Sequence, residues 1–320
     1  MAAFRAGMQA HSRPSLPTRM GARISRIAAL SRRLVAVAAL AALAAGCDRA
    51  PASGGFRVVD DAGDTVALAS PAERIVSLAP AFTELLFALG AGDRVVGRTE
   101  WCDWPAAARA VPGVGDGLAP NVEAIVARRP DLVLVYRSGA NGEAVARLRS
   151  LGIPVAQFRP DGLGDFARTA TGVGQLLGLT DSAGALVARL EAGLAAARVD
   201  TVREPLRVVM IAGDSPPIVI GRGSYLSELV QLAGAGNAFA DVSQGSAVVS
   251  LEAIAARDPD LVLVLGSEPP AAFRRPEWRV VRAVREGRVV VLDGSEYGRP
   301  SPRAPEAARA IAARFAAVGP

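Results

Sequence analysis

Histidine and lysine are almost missing from this chain. His11 is the only histidine among the 320 residues, and all 36 basic residues are arginines. Without lysine there is no Walker lysine to hold a nucleotide phosphate and no amine to form a Schiff base. Without histidine beyond position 11, the rest of the chain can build neither a Ser-His-Asp triad nor a histidine-rich zinc site. Triad hydrolases and zinc proteases are therefore excluded.

Cysteine is nearly as rare, because only Cys47 and Cys102 occur. An arginine-rich segment and an apolar run, 34–45, lead up to Cys47, and that run is too short to span a membrane. Residues 43–47 read Leu-Ala-Ala-Gly-Cys and resemble a bacterial lipobox, with alanine at 44 where leucine is usual. We therefore expect residues 1–46 to be a lipoprotein signal peptide and Cys47 to carry the lipid. Secretion without lipidation, with Cys47 as an unmodified passenger, is the alternative. Outside the lipidated Cys47 only Cys102 remains, so no intramolecular disulfide is expected.

A basic surface on the mature protein is also absent, although the formal net charge is +5. Residues 1–46 carry seven arginines and no acidic residue, which leaves 29 basic residues against 31 acidic ones. The positive sign belongs to the leader, so the sequence favours no nucleic-acid partner.

What the chain does contain is a repeat. Residues 123–135 read EAIVARRPDLVLV and residues 252–264 read EAIAARDPDLVLV, with eleven of thirteen positions identical. Each unit predicts a short helix that begins at a glutamate and stops before a proline, followed by a buried strand. The repeat therefore predicts two similar lobes with Glu123 and Glu252 at equivalent positions. These residues are either a matched pair of docking carboxylates or ordinary first-turn acids that the helix dipole favours.

The alternation of helices with short apolar strands predicts an α/β fold of two lobes with mostly parallel sheets. Residues 47–55 are typical of a flexible tether, 56–160 form the predicted N-terminal lobe and 205–320 the C-terminal lobe. Residues 161–204 have helical spacing and no strand signal. Within them a helix from Thr180 to Val199, of roughly 30 Å, could join the two lobes.

Aromatic residues are few and follow the ends of predicted strands. Trp101 and Trp104 share one loop, Tyr136 ends a strand, and Tyr297 precedes Arg299 in a late loop. Ligands of open α/β sheets bind beyond the carboxyl ends of the strands. These residues therefore predict an aromatic site for a large flat ligand, with Arg299 at a polar or anionic rim. The alternative is that the tryptophans anchor a loop and Arg299 is a surface residue.

The order of these segments resembles the helical-backbone periplasmic binding proteins of ABC importers, the class III group that serves cobalamin, haem and ferric siderophores. The resemblance covers about residues 56–317 and implies two α/β lobes joined by one long rigid helix. It rests on Arg74–Pro80, Thr83-Glu84, Trp101–Pro105, the two Pro-Asp-Leu-Val-Leu-Val units, Pro217 with Gly221 and Ser224, and Ser301-Pro302-Arg303.

Within that group the chain is most similar to the cobalamin-binding proteins. The resemblance implies that Trp101 packs on the corrin, that Tyr136 and Arg299 line the cleft, and that Glu123 and Glu252 grip the two subunits of a permease dimer. It further implies a binding protein rather than an enzyme. We expect a monomer, lipid-anchored at the periplasmic face of the cell envelope, with no cofactor or metal site apart from the ligand.

The chain departs from the cobalamin group at three cleft positions. Asp116 and Ser246 fall where that group has tryptophans, and Ser295 falls where it has an aspartate. Haem bound through Tyr136, Tyr225 or Tyr297 and a ferric siderophore therefore remain alternative ligands. An enzyme that processes a corrinoid or another tetrapyrrole is the alternative from a different class.

Overall fold

The computed structural model describes residues 55–200 and 204–318. The signal peptide and the lipid-bearing Cys47 predicted above lie outside these residues. The first elements, β1 (Phe56–Val59) and β2 (Thr65–Leu68), form an antiparallel hairpin. Asp60 builds its turn, because Oδ1 accepts hydrogen bonds from the backbone N–H groups of Ala62 and Asp64 at 2.9 and 3.0 Å.

The N-terminal lobe is built on a four-stranded parallel sheet with the strand order β4-β3-β5-β6. Alternate residues of a strand point to opposite faces, so Leu132 and Leu134 pack in one apolar cluster while Val133 and Val135 pack in another. The strands are β3 (Ile75–Ser77), β4 (Val95–Arg98), β5 (Leu132–Tyr136) and β6 (Val155–Phe158), and the helices are α1 (Pro80–Ala88), α2 (Val122–Ala127) and α3 (Gly142–Ser150).

The C-terminal lobe holds a six-stranded mixed sheet with the order β10-β8-β7-β11-β12 and β9 beside β7. Strands β7, β9, β11 and β12 are parallel, whereas β8 and β10 are antiparallel to their neighbours. The strands are β7 (Arg207–Asp214), β8 (Pro217–Ile220), β9 (Gly236–Asn237), β10 (Ser246–Val248), β11 (Leu261–Leu265) and β12 (Val289–Leu292). The helices are α6 (Tyr225–Leu232), α7 (Leu251–Ala256), α8 (Arg282–Arg285) and α9 (Ala304–Val318).

Two helices, α4 (Leu163–Leu177) and α5 (Thr180–Ala197), connect the sheets. Gly178 separates them in a left-handed conformation with φ 68°, a backbone state that glycine adopts without steric cost. Helix α5 packs against α4 and α9, and its Leu186 and Leu190 join a buried cluster that draws residues from both lobes. The interlobe helix is therefore anchored in a continuous apolar core. None of the helices among the described residues is long and apolar enough to cross a membrane.

The repeated sequence folds in the same way in both lobes. Each unit forms a short helix, a turn and a buried strand, as predicted. The aspartate before each strand anchors the start of the neighbouring strand. Asp131 accepts from the backbone N–H of Arg74, directly before β3, at 3.0 Å, and Asp260 from that of Arg207, the first residue of β7, at 2.9 Å. The fold thus explains the repeated Pro-Asp-Leu-Val-Leu-Val, and it leaves the two repeated glutamates exposed in the first turns of their helices.

Candidate functional site

A cavity of about 1060 Å³ lies between the two lobes. Its wall includes residues that end or directly follow strands of both sheets: Leu78 after β3, Thr99 after β4, Tyr136 at the end of β5, Arg159 after β6 and Leu265 at the end of β11. Parallel sheets present their ligand sites at this edge, because the loops beyond the strands are free to vary.

Four of the five predicted ligand-binding residues line this cavity: Trp101, Tyr136, Tyr297 and Arg299. Trp101 is 62% exposed, so it does not anchor the core. The loop is held instead by Cys102, which is fully buried with Sγ 3.1 Å from Oγ1 of Thr99. An indole left open at the mouth of a cavity offers a flat apolar face to a ligand.

Trp104, the fifth predicted ligand-binding residue, does not line the cavity wall. Its ring lies against the guanidinium carbon of Arg303, 4.6 Å from the ring centroid, a cation–π geometry. The two residues line a separate small groove with Glu84 and Phe87. A loop has no fixed side-chain period, so the proximity of Trp101 and Trp104 in sequence did not put them on one face.

Arg299 crosses from the C-terminal lobe to two carboxylates of the N-terminal lobe. Its Nε lies 2.9 Å from Oε1 of Glu84 and its Nη2 2.6 Å from Oδ1 of Asp103. Burial works to raise the pKa of Asp103, but the hydrogen bond and the charge of Arg299 outweigh it and hold that pKa below its usual value. At the cavity wall, the positive charge of Arg299 is therefore already balanced by two protein carboxylates.

Arg303 binds the same buried carboxylate. Its Nε and Nη2 donate to the two oxygens of Glu84, both at 2.9 Å, and its Nη1 donates to Glu296 at 2.6 Å. Paired geometry of this kind is among the strongest side-chain contacts. We call Glu84, Asp103, Glu296, Arg299 and Arg303 the interlobe ion cluster. The sequence singled out Glu84 and Arg303 only as motif residues and assigned them no role.

The pKa is raised at all three tyrosines considered as ligands. Tyr136 donates to Oδ1 of Asp161 at 2.5 Å, and burial together with this carboxylate raises its pKa. Tyr225 donates to the backbone carbonyl of Glu296 and Tyr297 is buried; burial raises the pKa of both. A phenolate is therefore disfavoured at each position.

Glu123 and Glu252 lie in the first turns of α2 and α7, and both are exposed. The residue two positions before each glutamate caps its helix. Asn121 Oδ1 accepts the backbone N–H of Ala124 at 2.9 Å, and Ser250 Oγ accepts that of Ala253 at 3.2 Å. A backbone hydrogen bond lowers the pKa of Glu252, with Ser250 adding to the effect. The two carboxylates are therefore presented to solvent in the same local geometry on the two lobes.

The sequence profile of the periplasmic binding protein family matches residues 75–296. The chain belongs to the periplasmic binding protein family. It is 29% identical over 255 residues to the vitamin B12-binding protein of Yersinia pestis (strain Pestoides F), with 78% of this chain and 89% of that protein covered.

Solved periplasmic binding proteins share the fold. The apo haem-binding protein RhuT of Roseiflexus sp. RS-1 superposes with a TM-score of 0.69 at 28% identity, covering 77% of this chain and 98% of that one. The vitamin B12-binding protein BtuF of Vibrio cholerae gives 0.64 at 27% identity, covering 78% and 98%. These similarities confirm the two-lobed α/β architecture and a solute-binding protein. The chain is about equally similar to the haem-binding and the vitamin B12-binding structure.

Proposed function

We propose that this periplasmic binding protein captures cobalamin, or a related corrinoid, in the interlobe cavity and delivers it to the permease dimer of an ABC importer. The observation that carries the proposal is Trp101, exposed beside a cavity of about 1060 Å³. Pockets for drug-sized molecules occupy roughly 300–1,000 Å³. A cavity slightly larger than that range, with an open indole on its wall, suits a large ligand that has a flat apolar face.

The tyrosines favour a corrinoid over haem. In a chain with no histidine beyond position 11, a protein ligand to haem iron would be a tyrosine phenolate. The pKa is raised at Tyr136, Tyr225 and Tyr297 alike, so ligation would have to overcome burial and, at Tyr136, a neighbouring carboxylate. The cobalt of a corrinoid arrives with its own ligands, and the protein needs only to contain it.

Haem is the second candidate. The observation that favours it is the match to haem-binding structures, including BhuT in complex with two haems, with a TM-score of 0.68 and 29% identity. Tyr136 at the cavity wall is the residue that would serve as its axial ligand. A ferric siderophore, held by arginine and tyrosine side chains, is the third.

Export and anchoring complete the proposal. Residues 1–46 direct export, and Cys47 carries a lipid that holds the protein at the periplasmic face of the envelope. Glu123 and Glu252 then dock one on each subunit of the permease, because a carboxylate in the first helical turn is well placed to pair with arginine.

Visible absorbance tests the ligand, since each candidate is coloured. Purified protein is titrated with cobalamin, haemin and a ferric siderophore in separate experiments. The proposal predicts a saturable spectral change with cobalamin at one molecule per protein. Tight binding of haemin without binding of cobalamin would replace the first candidate with the second.

A further inference from the structure

The charged residues of the cavity wall are unequal in what they can offer a ligand. Four of them line the cavity: Asp116, Arg159, Asp161 and Arg299. Arg159 lies 2.6 Å from a carboxylate oxygen of Asp161. Arg299 is bound by Asp103 and by Glu84 within the interlobe ion cluster. Each arginine of the wall is therefore already paired with at least one protein carboxylate before any ligand arrives.

Asp116 is the opposite case. No cationic side chain of the described residues lies within ion-pair distance of it, and its Oδ1 accepts only the backbone N–H of Leu118, at 2.8 Å. Its other oxygen, Oδ2, is left without a protein donor in the described part of the chain. Asp116 thus has an unused acceptor at a wall that has no unpaired cation.

The backbone around Asp116 is held in place. A side chain at the next residue, Gly117, would put its Cβ 2.1 Å from the backbone carbonyl oxygen of Leu78. Only glycine allows this approach of the loop to the end of β3. Asn141 Nδ2 also donates to the carbonyl of Gly117, at 3.3 Å. The carboxylate is therefore presented from a fixed loop, which lowers the entropy lost when a ligand binds.

We propose that the cavity selects its ligand by charge and that Asp116 is the residue that discriminates between neutral and anionic ligands. Asp116 accepts hydrogen bonds from the carboxamide N–H groups at the edge of an amidated corrin. A ligand edged with carboxylates meets the charge of Asp116 and only cations that protein carboxylates already share, so its desolvation is poorly compensated. This inference rests on the proposed function and narrows its substrate to amidated corrinoids.

Two corrins of equal ring size test the idea. Cobinamide carries carboxamides at the ring edge, and cobyrinic acid carries carboxylates in their place. Calorimetry on the mature protein should show cobinamide binding at least tenfold more tightly. Asp116→Asn keeps an oxygen that can accept the Leu118 N–H but removes the charge. A hydrogen bond to a charged group is worth enough to make this variant about tenfold to a hundredfold weaker for cobinamide.

Asp181→Asn is the matched control, because Asp181 is an exposed acid in the first turn of α5 and does not line the cavity. It makes the same change in net charge and should leave both affinities as they are. Equal affinity of the wild-type protein for the two corrins, or an unchanged preference in Asp116→Asn, would overturn the inference while leaving the proposed function standing. Failure of the wild-type protein to bind any amidated corrin would overturn both.

Discussion

Glu84 and Arg303 join the two lobes through a two-pronged ion pair. Arg303 lies just before α9 in the C-terminal lobe, and its Nε and Nη2 each approach one carboxylate oxygen of Glu84 at 2.9 Å. Glu84 belongs to α1 of the N-terminal lobe, and its side chain is only 1% exposed. Arg299 uses the same carboxylate from the cavity side. The buried carboxylate of Glu84 thus binds both Arg299 at the cavity wall and Arg303 at the lobe junction.

Replacing Glu84 by Gln should lower the free energy of unfolding by about 2–4 kcal/mol. Removing one partner of a buried pair leaves the other charge uncompensated, a cost of roughly 3–5 kcal/mol when both are fully buried. The arginines keep about a fifth of their side-chain surface exposed and remain paired with Asp103 and Glu296, so solvent and these carboxylates reduce that penalty. Urea denaturation measures the change.

Glu306→Gln provides the control for this experiment. Its pair with Arg309 lies on the surface, with both side chains about half exposed or more. Such pairs contribute less than about 1 kcal/mol. If the two variants lost the same stability, the interlobe ion cluster would have no special part in holding the lobes together.

The docking role of Glu123 and Glu252 is tested by changing both to alanine. Both are exposed and have no ion-pair partner among the described residues. The melting temperature and the affinity for cobalamin should therefore stay nearly unchanged, while uptake by permease-containing vesicles collapses because orientation on the partner is lost.

Glu143→Ala with Glu306→Ala is the matched double variant for the docking test. Both residues are exposed acids in the first turn of a helix, as Glu123 and Glu252 are. The control pair should transport normally. Wild-type uptake by the Glu123, Glu252 variant would reject docking through these residues, and loss of ligand binding would place them in the cavity instead.

The tyrosines predict how stability responds to alkali. In the folded protein the pKa is raised at all three, chiefly by burial. The unfolded chain loses these protons near pH 10, so it binds fewer protons than the folded state above that pH. Stability should therefore be fully present below about pH 10 and fall as the pH rises further. Tyrosinate absorbance of the folded protein that appeared below pH 10 would contradict this, and would also favour haem ligation.

Lipid anchoring remains a prediction from the sequence, because Cys47 lies outside the described residues. Cys47→Ala should release the protein from membranes into the soluble fraction, since no other cysteine is available near the start of the mature chain. Fractionation followed by intact-mass measurement checks it. An unmodified Cys47 in the wild-type protein would show that export occurs without lipidation.

Local pattern was enough to predict the elements that repeat. The run Leu132–Tyr136 and its counterpart Leu261–Leu265 are apolar, preceded by Pro-Asp, and buried except at the last residue, so the strands form where the repeat predicts them. Strands β8, β9, β10 and β12 were not predicted individually, and of these β8 and β10 carry the weak signals. The first begins at a proline and the second is only three residues long and partly exposed. Their conformation comes from pairing with β7 and with each other.

Part of the site was also predictable from local sequence pattern. Trp101, Tyr136 and Arg299 follow strands or match a family motif, and both signals are local. The pairing of Arg299 with Glu84 joins residues 215 positions apart, and the divergence of Trp104 from Trp101 depends on the path of one loop. Contacts of this kind come from tertiary packing, which no short pattern encodes.

The most direct test of corrinoid binding in the cavity is calorimetry of Trp101→Ala with cobalamin, beside Trp104→Ala as control. Burying one face of an indole is worth roughly 1.5–3 kcal/mol. Trp101→Ala should therefore bind cobalamin about tenfold to a hundredfold more weakly. Trp104→Ala should bind it nearly as the wild type does, because Trp104 does not line the cavity. Unchanged affinity in Trp101→Ala would contradict the account.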